Sequence, residues 1–139
     1  MDYRKFENKF IVRLEKGEEI INSLKEICKN EKIELAEVTG IGASDKVEIG
    51  VFNVNTKEYK TKIFDGMFEI TSLVGSVSTK EDEPYLHLHI NFGDEDGLVK
   101  GGHLVSSRIS ATCEIIISEI DGKVERKFNN EIGLNLFNF

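Results

Sequence analysis

Tyr85-Leu86-His87-Leu88-His89-Ile90-Asn91-Phe92 is the stretch that decides how this chain folds. Apolar and polar residues alternate through it without a break. A period of two is the signature of a β-strand, because successive side chains leave opposite faces. Leu86, Leu88, Ile90 and Phe92 therefore claim a core, and Tyr85, His87, His89 and Asn91 face away from it. Two histidines at i and i+2 on one strand face have Cα atoms about 6.5–7 Å apart, close enough for both imidazoles to reach one cation.

A third histidine follows a short acidic turn, Gly93-Asp94-Glu95-Asp96-Gly97, in the segment Gly101-Gly102-His103-Leu104. The glycine pair lets the backbone pass close to its neighbour and aims His103 back at the preceding strand. No other histidine exists in the chain. Three neutral imidazoles suit a divalent cation, zinc above others, with a fourth position left to water, substrate or a carboxylate. The competing reading is a hydrogen-bonded polar cluster inside an oligomer interface. Asp94, Glu95 and Asp96 read as a solvated turn.

Working outward, the same alternation and enrichment in β-branched and aromatic residues predict strands over Phe10–Leu14, Glu34–Thr39, Lys46–Asn53, Glu58–Phe64, Met67–Val77 and Cys113–Ile120. Turns are expected at Gly40-Ile41-Gly42-Ala43, Asn55-Thr56, Asp65-Gly66 and Asp121-Gly122. One helix is expected. Gly17-Glu18-Glu19 opens it, Ile20, Leu24, Ile27 and Cys28 form its buried stripe, and it ends near Asn30. The expected architecture is α+β: a mostly antiparallel sheet with one N-terminal helix packed on it, residues 1–139 forming a single domain.

Composition narrows the function. With 139 residues, 40% hydrophobic and 31% charged, the chain can bury a core without staples. Its net charge is −7 and its cations are scattered, which opposes direct contact with DNA phosphates or an anionic membrane. Charged residues fill Met1–Phe10, no apolar run has bilayer length, and a cytoplasmic location is expected. Cys28 and Cys113 lie far apart and read as small buried hydrophobes.

Candidates beyond the histidines are sparse. Glu114 alternates with Thr112 on one strand face and could orient a ligand imidazole; Glu114 and Glu69 are the candidate proton carriers of any catalysed reaction. Ser106, Ser107, Ser110 and Thr112 lack the glycine-framed elbow of a nucleophile, and Gly40-Ile41-Gly42 lacks the third glycine of a phosphate cradle.

Taken in order, Gly40-Ile41-Gly42-Ala43, Gly66-Met67-Phe68-Glu69-Ile70-Thr71-Ser72-Leu73-Val74-Gly75-Ser76, Leu86-His87-Leu88-His89, Gly101-Gly102-His103-Leu104 and Thr112-Cys113-Glu114 resemble the plants-and-prokaryotes-conserved (PPC) domain. The resemblance implies an α+β fold on an antiparallel sheet, assembly as a homotrimer, and occurrence both in stand-alone prokaryotic proteins and in plant nuclear proteins. In the plant proteins an added basic AT-hook enters the DNA minor groove while the PPC domain associates with itself and other factors. This chain has no Arg-Gly-Arg hook core, and Met67 stands where the plant segment usually has arginine. The fold is also similar to acetolactate decarboxylase, which holds zinc with three histidines. Two functions stay open: a DNA-associated or regulatory binding module that senses a small-molecule ligand, which the resemblance implies, or a zinc-dependent hydrolase or lyase acting on a small acid or ester, which the three histidines motivate. Fold likeness alone does not transfer chemistry.

Overall fold

The computed structural model describes residues 1–139. Eight strands and one helix run in the order β1 (Asp2–Phe6), β2 (Lys9–Glu15), α1 (Ile20–Glu31), β3 (Ala36–Asn53), β4 (Glu58–Lys80), β5 (Glu83–Gly93), β6 (Val99–Glu119), β7 (Glu125–Asn129) and β8 (Leu134–Asn138). The strands form one sheet in the order β1-β2-β6-β3-β4-β7-β8, with β5 bridging β4 and β6. Because β3 and β5 each pair with both β4 and β6, these four strands close a circuit and leave no free edge between them. Every pairing is antiparallel except the contact of Thr79 with Glu125, which joins β7 to β4 in parallel.

The helix forms where its apolar stripe requires. Ile20, Leu24, Ile27 and Cys28 are buried and pack it against β5 and β6. The Glu19 carboxylate caps the first turn by accepting hydrogen bonds from Ile21 N and Asn22 N, and it also accepts one from Ser107 N, so the cap fastens the helix to β6. Lys32 ends the helix in the left-handed conformation.

Several expected breaks are absent. Gly40-Ile41-Gly42-Ala43 is not a turn: β3 runs through it, and the register shifts between Gly40 and Gly42. Gly42 is needed there because β3 and β6 approach so closely that a Cβ would lie 2.6 Å from Cys113 Cα. Asp65-Gly66 likewise lies within the continuous β4, and the bare Gly66 leaves room for the ring of Phe68, which packs edge-on against Phe92. Glycine in a strand marked a bulge or a close neighbour here, not a reversal. The real reversals occur at Asn53–Lys57, where Asn53 Oδ1 accepts from Asn55 N and Thr56 N, and at Glu81-Asp82, both at positive φ. The reversal at Gly93–Gly97 is as expected. Strands β1, β7 and β8 and the first half of β6 were not foreseen, since their alternation is weak or interrupted by charge.

Candidate metal centre

Strand β5 delivers the alternation its sequence demands. Leu88, Ile90 and Phe92 are buried, and His87 and His89 lie on the opposite face. Across the ladder His103 of β6 is the direct partner of His89. Cross-strand partners project to the same side, so register, and not a bend at the glycines, brings the third imidazole in. The glycines act by giving room. A Cβ on Gly101 would meet Asn91 Oδ1 at 2.0 Å, and one on Gly102 would sit 3.0 Å from Gly50 O.

The three rings form a near-equilateral group. Their centroids are 5.4 Å apart for His87–His89, 5.4 Å for His87–His103 and 5.6 Å for His89–His103. One ring nitrogen from each lies within 4.8 Å of the others. Burial, reinforced by the positive charge of Arg126 and then by the other two imidazoles, pushes His87 down to about 4, and burial with His89 lowers His103. At neutral pH these two rings are uncharged and offer the lone pairs that a cation needs. His103 Nδ1 is buried with no hydrogen-bond partner. An unpaired buried nitrogen costs stability unless something else occupies its lone pair or takes its proton. The donor set, the neutral rings and this orphan atom together fit a divalent cation held by His87, His89 and His103.

Around the histidines stand residues that sequence reading passed over. The Tyr59 ring lies 5.3 Å from the His103 ring, and it crosses the space left by Gly50, where a Cβ would approach Tyr59 Cδ1 to 3.0 Å. Tyr85 shares the His87 face of β5, and the guanidinium of Arg126, from β7, lies 4.7 Å above its ring. Tyr59 and Tyr85 belonged to recognisable alternating strands and could have been found from position alone. Arg126 carried no such signal.

The remaining predicted residues are placed elsewhere. Glu114 faces Arg13 and Ile41 across the ladders and lines an open groove of about 840 Å³ with Ile41, Val74 and Ile116. Glu69 is exposed on β4 opposite Ala43 and Gly93. Neither carboxylate joins the three-imidazole group. Thr112 ties β6 to β2 through Leu14 O, and Gly40 backs onto Ile115 and Leu73 in the sheet. Gly75 sits where β4 meets His87: a Cβ there would fall 2.0 Å from His87 O. The acidic turn closes on itself, Asp94 accepting from Asp96 N, Leu98 N and Lys100 Nζ. Both cysteines are buried with thiols pushed up to about 12, and are unreactive.

Fold and site thus define a small α+β protein carrying three clustered imidazoles on the outer face of its sheet. The model of the Plants and Prokaryotes Conserved domain, abbreviated PCC or PPC, matches residues 1–121. The chain belongs to that family. A Pyrococcus horikoshii PPC protein is 36% identical, covers 99% of this chain and 94% of its own, and superposes with a TM-score of 0.87. A metal-containing protein from Archaeoglobus fulgidus is 33% identical with 100% of both chains covered and a TM-score of 0.89. A protein from Bacteroides thetaiotaomicron provisionally named as DNA-binding is 34% identical, covering 99% and 96%, with a TM-score of 0.97. Acetolactate decarboxylase from Bacillus subtilis subspecies spizizenii shares the fold alone, at 20% identity and a TM-score of 0.60 over 84% of this chain and 54% of its own. No curated protein matches the chain. No helix is long and apolar enough to cross a membrane.

Proposed function

We propose that this PPC protein is a metal-holding binding module, in which His87, His89 and His103 hold one divalent cation, zinc by donor preference, and the rest of the pocket receives a small ligand. The observation that carries this reading is the convergence of three imidazoles with a buried, unpartnered nitrogen among them. The metal-containing Archaeoglobus relative supports it. When bound, the cation supplies a Lewis-acid centre with one position that the protein does not fill. Metal analysis of protein purified without chelator or nickel resin tests the reading: the parent should retain about one equivalent, as expected for three converging imidazole donors, and His89→Ala should lose it. Equal metal in both removes the centre.

The module does not bind DNA directly in this reading. The provisional name of the Bacteroides relative points to DNA, but a net charge of −7 with no basic stripe supplies little phosphate affinity. A tight complex between the bare chain and duplex DNA at physiological salt would overturn this.

A second reading, a zinc-dependent hydrolase or lyase on a small acid or ester, is favoured by one observation: three imidazoles leave a coordination position open. It ranks behind because no carboxylate stands with the histidines to move a proton. Turnover of small esters or acids that is lost on chelation and restored by zinc would reverse the ranking.

A further inference from the structure

The C-terminal hairpin lies beyond residues 1–121, which the family model matches, and it lays one buried cation over Tyr85 on the histidine face of β5. Its placement is tightly specified. Glu125 accepts hydrogen bonds from Thr79 Oγ1 and Glu81 N, and Lys57 Nζ donates to Asn130 O, so the hairpin is clamped between the β4–β5 turn and the tip of β3–β4. Between those clamps Arg126 is only 8% exposed. Its Nε donates to Ser78 Oγ at 2.7 Å and its Nη1 to Asn135 O at 2.9 Å. The guanidinium carbon lies over the rings of both Tyr85, at 4.7 Å, and Phe137, at 4.2 Å.

No carboxylate balances this charge. None of the ion pairs of the chain includes Arg126, whose partners are a hydroxyl and a carbonyl. A guanidinium withdrawn from water without an anion is costly, and aromatic faces offset that only in part. Nη2 makes no hydrogen bond and is not among the buried polar atoms left without a partner, so it still reaches open space. Those orphan atoms are only two, His103 Nδ1 and Asn135 Oδ1. One belongs to the triad and the other to the residue whose carbonyl holds Arg126. Tyr85, beneath the guanidinium, precedes His87 by two positions on the same strand face, a separation of about 6.5–7 Å between Cα atoms. The unpaired cation therefore lies over the neighbour of His87 on the histidine face of β5.

We propose that Arg126 is the anion-reading arm of the metal centre, and that the pocket takes a small carboxylate whose other end carries an oxygen donor for the metal. This rests on the metal reading of His87, His89 and His103. A planar guanidinium held by its Nε and Nη1 presents its remaining edge in a fixed direction, which selects a carboxylate over a neutral carbonyl and sets the ligand's length.

The test uses the full chain loaded with cobalt(II), whose visible spectrum reports ligands entering the coordination sphere, with calorimetry for affinity. Malonate is the probe, one carboxylate for the metal and one for Arg126. Acetohydroxamate, which has only the metal-binding end, is the comparison. Arg126→Gln should weaken malonate about ten- to a hundredfold, the usual worth of a charge-assisted hydrogen bond, and leave cobalt content and acetohydroxamate affinity as in the parent. Arg126→Met, which packs between the two aromatic rings, covers the case in which the glutamine variant does not fold. Equal malonate affinity in the parent and in a folded, cobalt-loaded variant overturns the proposal alone. A parent that binds no cobalt overturns the metal reading and this inference together.

Discussion

His87 shows how much one side chain's environment alters its chemistry. In the metal-free protein burial first, then Arg126 and the neighbouring imidazoles, lower its affinity for a proton from an ordinary 6.5 to about 4. Above pH 6.5 the folded and unfolded chains both hold it neutral, and it contributes no pH dependence. As the pH falls from 6.5 toward 4 the unfolded chain takes up a proton that the folded one refuses, so stability drops across that window and the slope ends below it. Thermal unfolding of the metal-free parent between pH 7 and pH 4 should show this decline, shallower in His87→Gln. Superimposable profiles would show that another group sets the slope. The imidazole pair itself was legible in sequence, because alternation alone puts His87 and His89 on one face. Its surroundings were not: Tyr59 arrives from another strand across the gap at Gly50, and Arg126 from a hairpin whose alternation is broken by charge.

At the scale of elements, the centre depends on how closely β4 and β5 can lie. Val74, Gly75 and Ser76 face His89, Leu88 and His87 in register, and the backbone oxygen of His87 occupies the space where a side chain on Gly75 would begin. Gly75→Ala must separate the two strands, and overpacking of this kind costs about 3 kcal/mol. Urea unfolding should show that loss as a lower midpoint at unchanged slope, together with reduced metal content from displacement of His87. A variant within about 0.5 kcal/mol of the parent, the range of a harmless surface change, would mean that the strands have slack. Glycine was the residue that sequence reading handled least well. It signals turns and close approaches alike, and only the neighbour across the ladder tells them apart; hence Gly40–Ala43 and Asp65-Gly66 read as turns and proved to be strand interior.

On the scale of the whole molecule, the outer face of the sheet carries exposed apolar side chains. Val74 pairs with Thr39, Thr39 with Ile116, and Ile116 with Ile11, which sets three exposed apolar side chains in one row with Thr39 between them. Val74, Ile116 and Ile11 are 47%, 40% and 44% exposed, and Ile41 beside them is 58% exposed. An exposed apolar face of this kind suits an interface. The homotrimer implied by the family resemblance would cover it with further copies of the chain. Because Val74 is also the cross-strand partner of His89, such an interface would border the three imidazoles. Sedimentation equilibrium should give three times 15.7 kDa for the parent and a smaller species for Val74→Glu. A monomeric parent would remove the trimer.

Local periodicity settled what depends on neighbours along the chain: the helix and its buried stripe, the strand character of residues 85–92, and the shared face of His87 and His89. The tertiary structure alone decided the pairing of His103 with His89, the closing of β3, β4, β5 and β6 into a circuit, and the delivery of Arg126 beside the imidazoles. The reason is physical. A strand's alternation says which way its side chains point but carries nothing about which strand lies alongside or at what register, and these are set by long-range packing of the whole apolar set at once.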